Sequence, residues 1–229
     1  MKRKRLIVFG CSYSAGMPDQ KLSWPHTFAK NNPEYDVINY ARGGSSLQFS
    51  IAMLHKFLKT NNDMDNTKIV FQITSPGRYT YNIQQILDAD DTFYISENYK
   101  QIKNTPKIQA IVPNWNEEAF TKRAEKEILS KTQLQLYKDM IKHYPEICTD
   151  IEFESQASYV KSICDFTFYH MQKKSSIPRY LSIKYNNIPC IYSILGQKKF
   201  KKYVIDNGHH FGPAGFKYVA KFVKDNLSD

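Results

Sequence analysis

Short apolar runs alternate with amphipathic stretches over much of this chain. Residues 6–10, 36–39, 68–74 and 188–195 are β-branched or apolar segments bounded by turn residues. Strands buried on both faces of a parallel sheet have that pattern. Residues 200–205 supply a candidate fifth strand. Helical spacing lies between them, over 23–31 and more clearly over 47–58, where Leu47, Ile51, Leu54 and Leu58 share one face. Pro213 suits the start of a closing helix over 216–227, in which Tyr218, Val219, Phe222 and Val223 form an apolar stripe. The alternation predicts an α/β sandwich built on a parallel sheet of about five strands.

The rhythm stops between Tyr79 and about Lys184, far longer than an ordinary connection between neighbouring elements. Within it, 117–143 reads as a long helix, with Leu129, Leu134, Leu136 and Met140 apolar among charges, and 153–170 as another. Pro178 opens a short helix before the strand at Ile188. The expectation is a single domain over 1–229 with a helical cap or insertion at about 79–184. An interaction module would fit that insertion equally well.

Composition narrows the class. A chain of 229 residues can bury one substantial core, and 41% hydrophobic content with 14% aromatic argues against disorder. Cys11, Cys148, Cys164 and Cys190 show no CxxC spacing, so they read as reduced thiols rather than a zinc site or a disulfide framework. The basic start at residues 2–5 imitates a signal peptide, but its apolar run is too short and reads as a first strand. No stretch approaches a membrane span, so a cytoplasmic protein is expected. The net charge of +10 invites nucleic-acid binding. Lysines are dispersed, however, with Lys198, Lys199, Lys201 and Lys202 the main cluster and no recognition motif beside them. A solvated basic surface is the favoured reading.

Three segments carry chemistry. Gly10-Cys11-Ser12-Tyr13-Ser14 follows the first strand directly, and ligands of α/β folds bind at the carboxyl ends of parallel strands. Glycine and serine are also ordinary turn residues. Asn39-Tyr40-Ala41-Arg42-Gly43-Gly44-Ser45-Ser46 follows the second strand, where glycine lets backbone N–H groups approach a developing negative charge. Ser45 or Ser46 can cap the following helix as well. The third segment, Asp206-Asn207-Gly208-His209-His210-Phe211-Gly212-Pro213-Ala214-Gly215, precedes the closing helix. A nucleophilic serine needs a base and the base an orienting acceptor, and this cluster completes that set in the order Ser, Asp, His.

Together the three segments resemble the SGNH hydrolases, also called GDSL-like esterases and lipases. Gly10-Cys11-Ser12-Tyr13-Ser14 is similar to the family's G-D-S-x-S block, with Cys11 where aspartate is commonest. Gly44, five residues after Asn39, matches the glycine of the second block, and Trp24-Pro25 resembles a pair often found in the first helix. The last segment is similar to D-x-x-H followed by a glycine and a helix. The resemblance covers roughly the first eighty and last forty residues. It implies a flavodoxin-like three-layer α/β/α fold and cleavage of an acyl or acetyl ester, with Ser12 as nucleophile. It also implies an oxyanion held by the Ser12 and Gly44 N–H groups and a third-block asparagine. Here the chain departs from the pattern: Gln72-Ile73-Thr74-Ser75-Pro76-Gly77-Arg78 stands where G-x-N-D is expected. Either Thr74, Ser75 or Arg78 replaces the asparagine, or turnover is slow. The last block admits two bases. Asp206 with His209 satisfies D-x-x-H literally, while the spacing to Gly215 and Ala220 favours His210, with Asp206 as its electrostatic partner.

The resemblance implies a small-molecule or carbohydrate ester substrate and no metal or organic cofactor. Competing readings are an inactive binding protein on the same fold, a basic nucleic-acid-associated protein, and catalysis by the Cys11 thiol.

Overall fold

The computed structural model describes residues 3–16, 22–74, 79–80, 91–103, 110–111, 132, 135, 146–169, 188–205 and 210–227. The elements run β1 (Lys4–Phe9), α1 (Ser12–Ala15), α2 (Trp24–Asn31), β2 (Tyr35–Asn39), α3 (Leu47–Thr60), β3 (Thr67–Ile73), β4 (Tyr79–Thr80), β5 (Phe93–Ser96), β6 (Tyr99–Ile102) and β7 (Ala110–Ile111). There follow α4 (Glu146–Ile163), β8 (Phe166–Tyr169), α5 (Ile191–Phe200), β9 (Val204–Ile205), β10 (His210–Phe211) and α6 (Pro213–Asn226).

Among the described residues, six strands form the central sheet in the order β5-β6-β2-β1-β3-β8. Strands β6, β2, β1, β3 and β8 are parallel, and only β5 turns back antiparallel against β6 at the edge. Strand alternation sorts the core into two layers. Leu6 and Val8 of β1 point to Trp24 and Phe28 of α2 and to Phe216, Val219 and Val223 of α6. Ile7 and Phe9 point to Phe49, Met53 and Leu54 of α3 and to Phe153, Ala157 and Val160 of α4. The result is the expected three-layer α/β/α sandwich, with six strands rather than about five. Strand order reverses at β1, since β2 lies on one side of it and β3 on the other. The carboxyl ends of β1 and β3 therefore flank a topological switch point, where ligands of such sheets bind.

Three sequence expectations are corrected. Residues 188–195 do not form a strand: Cys190 makes a single bridge to Tyr169, and helix α5 begins at Ile191. The helix expected over 153–170 ends at Ile163, and Phe166–Tyr169 becomes the sheet-edge strand β8. The Asp165 carboxylate marks the change by accepting the Ile69 N–H at 2.7 Å, which docks the chain onto β3. Of residues 200–205 only Val204 and Ile205 are extended, and they pair with His210–Phe211 in a separate ribbon rather than in the sheet.

Within 79–184, strands β5, β6 and β8 belong to the central sheet and α4 covers one of its faces. The helices expected at 117–143 and after Pro178 lie outside the described residues, except that Thr132 and Gln135 are helical. Among the described residues, no helix is long and apolar enough to cross a membrane.

Candidate active site

Strand β1 leaves the sheet at Gly10. Its ladder with β3 ends at Phe9 opposite Phe71, while β3 continues through Gln72 and Ile73 in register with β8. The Cys11 N–H has thus passed the end of the ladder, and the Gln72 side chain takes over, its Oε1 accepting that N–H at 3.0 Å. Only glycine fits beside this contact, because a Cβ on Gly10 would lie 2.7 Å from the same oxygen. Cys11 then opens α1, with its carbonyl accepting from the N–H groups of Ser14 and Ala15 at 3.0 and 2.9 Å. Gly16 ends the turn in the left-handed region at φ 81°. Ser12 is therefore held at the head of a single helical turn, beyond the carboxyl end of β1.

The loop after β2 is fastened to the same point. The Gly10 carbonyl accepts from the Arg42 N–H at 3.1 Å and from the Ser45 hydroxyl at 3.0 Å. Ser46 is the helix cap, its hydroxyl accepting the Phe49 N–H at 3.1 Å, so the two serines divide the tasks the sequence left open. Just before them Gly44 adopts φ 75°, with open space where a Cβ would project. The Thr74 hydroxyl is turned to the Ser45 carbonyl at 3.4 Å and so braces this loop. Arg42 lies with its guanidinium 5.9 Å from the Phe49 ring, and burial lowers its pKa from the usual arginine value.

The base of the loop is a buried polar network. Asn39 is fully buried, with Nδ2 facing the Ser14 carbonyl at 2.8 Å, the Gln101 Oε1 at 2.6 Å and the Tyr99 hydroxyl at 3.1 Å. Its Oδ1 accepts from the Ala41 N–H at 3.0 Å. Burial pushes the Tyr99 phenol up to about 12.

The third segment arrives on β10. Its two residues alternate: Phe211 is buried against Phe200, and His210 is directed to the other side. Gly215 permits this packing, since a Cβ there would meet Phe211 and the Tyr203 carbonyl at 2.5 Å. His210 Nε2 then lies 3.3 Å from Ser12 Oγ, within the looser reach usual without a ligand. The Tyr13 ring packs on the imidazole at 5.4 Å. The Cys11 thiol is buried instead beside Gln72, 3.4 Å from its Oε1.

Of the residues singled out from sequence, Ser12 and His210 meet, and Gly44 lies on the loop tied to Gly10. Ser75, Arg78, Asp206, Asn207 and His209 lie outside the described residues. Sequence reasoning passed over Gln72, Tyr99 and Gln101. Gln72 had a signal, as a lone polar residue inside the run Ile69-Val70-Phe71-Gln72-Ile73. Gln101 had none, because its strand was concealed in the insertion.

No family model matches this chain, and no curated protein does. Among solved structures it is similar to TesA, with 12% identity, a TM-score of 0.49 and 98% of each chain covered. It is similar to the psychrotrophic esterase EstA from Pseudoalteromonas sp., with 9% identity, a TM-score of 0.49 and coverage of 98% of this chain and 96% of the other. AlinE4, an SGNH-hydrolase family esterase, matches at 9% identity and a TM-score of 0.42, over 100% of this chain and 99% of its own. With likeness this distant, a functional reading has to rest on the side chains themselves.

Proposed function

We propose that this chain is a serine ester hydrolase of the SGNH type that cleaves an acyl or acetyl ester, in the cytoplasm and without a cofactor. The observation that carries the reading is the 3.3 Å approach of His210 Nε2 to Ser12 Oγ at the carboxyl edge of β1. A serine hydroxyl is a weak nucleophile until a neighbouring base takes its proton, and this pair supplies both groups.

His210 accepts the Ser12 proton on Nε2 as Oγ attacks the ester carbonyl. The tetrahedral oxyanion is held by the N–H groups of Ser12 and Gly44. His210 then gives the proton to the departing alkoxide, which leaves as an alcohol while the acyl group stays on Ser12 Oγ as an ester. Water, deprotonated by the same imidazole, cleaves that ester and restores the hydroxyl. Asp206 is assigned to orient and stabilise the imidazolium, and Ser75 or Arg78 to supply the remaining oxyanion donor. Thr74 is removed from that list, because its hydroxyl is engaged with the Ser45 carbonyl. If neither replacement donates, turnover is lower by about 10²–10³.

A fluorophosphonate probe tests the reading directly, since it labels only an activated serine. Wild-type protein should be labelled and should hydrolyse p-nitrophenyl acetate, and Ser12→Ala should do neither. Turnover retained by pure Ser12→Ala protein would remove Ser12 from the mechanism.

A further inference from the structure

We propose that Gln72 is a positioning residue for the hydrolysis, holding the Ser12 turn in register with His210 although it meets neither substrate nor the reacting atoms. The inference rests on the hydrolase reading and deepens it. Gln72 is 1% exposed, on the third strand. Its Oε1 accepts from the Cys11 N–H at 3.0 Å and from the Ser14 hydroxyl at 3.3 Å, one residue before Ser12 and two after it. Trp24 Nε1 donates to the Ser14 hydroxyl at 2.9 Å, which leaves that hydroxyl's own proton for Gln72. The amide is held from behind as well, Nε2 donating to the Ile73 carbonyl at 2.8 Å. Since the Cys11 N–H can only donate, the oxygen of the amide must face it, and the orientation is unique.

The arrangement takes the place of a backbone ladder. Where β1 leaves β3, the next N–H would be buried without an acceptor, and the turn would be free to settle elsewhere. Gln72 closes that gap and fixes the peptide joining Gly10 to Cys11, immediately ahead of Ser12. An error of about 1 Å at the nucleophile is enough to cost about 100-fold in rate.

Gln72→Met keeps the length and removes the acceptor, whereas Gln72→Glu restores it, and a protonated carboxyl can still donate to the Ile73 carbonyl. In Gln72→Met, kcat on p-nitrophenyl acetate should fall about 10–100-fold with KM little changed, and Gln72→Glu, compared with wild type at the same pH, should recover most of the loss. Wild-type kcat in folded Gln72→Met, or a loss expressed in KM alone, would overturn the proposal. If Gln72→Met shows no cooperative thermal transition, Gln72→Asn, whose amide is withdrawn by one methylene, decides by the same split. Should neither fold, Gln72 is a folding residue and the proposal falls. Backbone amide exchange at Cys11 separates this from a failure of the hydrolase reading. An inert wild type unlabelled by fluorophosphonate sinks the hydrolysis and the role in it. Faster Cys11 exchange in Gln72→Met, reversed in Gln72→Glu, would show the clamp itself still standing.

Discussion

Asn39 Nδ2 stands 2.6 Å from Gln101 Oε1, and the Nε2 of the same glutamine donates to the Ala41 carbonyl at 2.9 Å. One side chain on β6 thus holds both the end of β2 and the loop that continues toward Gly44. Because β6 falls in the stretch that interrupts the simple alternation, part of that stretch supports the site from below. Gln101→Leu leaves Asn39 and the Ala41 carbonyl short of a partner in a buried setting. A buried group so deprived costs about 1–3 kcal/mol. The urea midpoint should fall accordingly, with esterase activity falling beside it. An unchanged midpoint would mean that other groups replace the lost partners.

Ser12 and His210 are separated by 198 positions in sequence and share one hydrogen bond. Members of such a pair act as a unit, so His210→Ala should lower kcat/KM as severely as Ser12→Ala, and the double variant should be little worse than either. His209→Ala should be milder. Neither Ser12 nor His210 contributes a large apolar side chain to the core, so thermal midpoints should stay near wild type. The reverse ranking of the two histidines would transfer the role to His209.

Much of the sandwich was legible because its strands and helices have separable periods. Residues 6–10, 36–39 and 68–74 became β1, β2 and β3 within a residue or two at each end, and Leu47 and Pro213 both open helices. The errors share a physical cause. An apolar run of four to eight residues satisfies a buried strand and a half-buried helix equally well. Ile191-Tyr192-Ser193-Ile194-Leu195 was such a run, and in the fold Ile191 is buried while Ile194 is 51% exposed on a helix. Phe166-Thr167-Phe168-Tyr169 was the converse, a strand hidden because it follows a helix after only Cys164 and Asp165. At the site, the serine and histidine were legible as chemistry. The clamp at Gln72 was not, because its purpose appears only where two strands part.

Gly10 and Gly44 are both glycines with positive φ, and they should respond differently to alanine. At Gly10 the added methyl meets Gln72 Oε1 at 2.7 Å and Gln72 Cβ at 3.0 Å. Gly10→Ala must therefore displace the clamp, and should cost about 1–3 kcal/mol together with most of the activity. At Gly44 nothing lies within 4 Å, so Gly44→Ala pays only for its left-handed backbone at φ 75°, about 1–2 kcal/mol. Alanine keeps the N–H, so a fall in kcat for Gly44→Ala beyond that of an equally destabilised control variant reports displacement of that donor from the oxyanion. Wild-type kcat in Gly44→Ala would show that the loop holds the N–H in place despite the strain. Equal stability losses in the two variants would show that Gln72 yields more readily than its hydrogen bonds suggest.

Tyr40 and Tyr99 carry a prediction for alkaline stability. Burial, joined at Tyr40 by the nearby Asp91 charge, raises each phenol from 10.0 to about 12 in the folded chain. Below pH 10 both states keep the phenolic protons and neither tyrosine alters stability. Between pH 10 and about 12 the unfolded chain releases protons that the folded chain retains, so stability must fall with rising pH across that window. The two tyrosines separate on substitution. Tyr40 packs by its ring, stacked on Phe9 at 5.3 Å and edge-on to Phe93 at 5.5 Å, contacts that phenylalanine preserves. Tyr40→Phe should change stability little at pH 7 and should flatten the alkaline decline. Tyr99 holds its hydroxyl among Ser23, Asn39 and Gln101, so Tyr99→Phe should lose about 1–3 kcal/mol at pH 7 while flattening the decline as well. Urea unfolding of the three proteins from pH 7 to pH 11 reads both effects. A wild-type alkaline slope in both variants would assign the decline to another group, the first candidate being the Cys164 thiol, which burial and Asp165 raise to about 12.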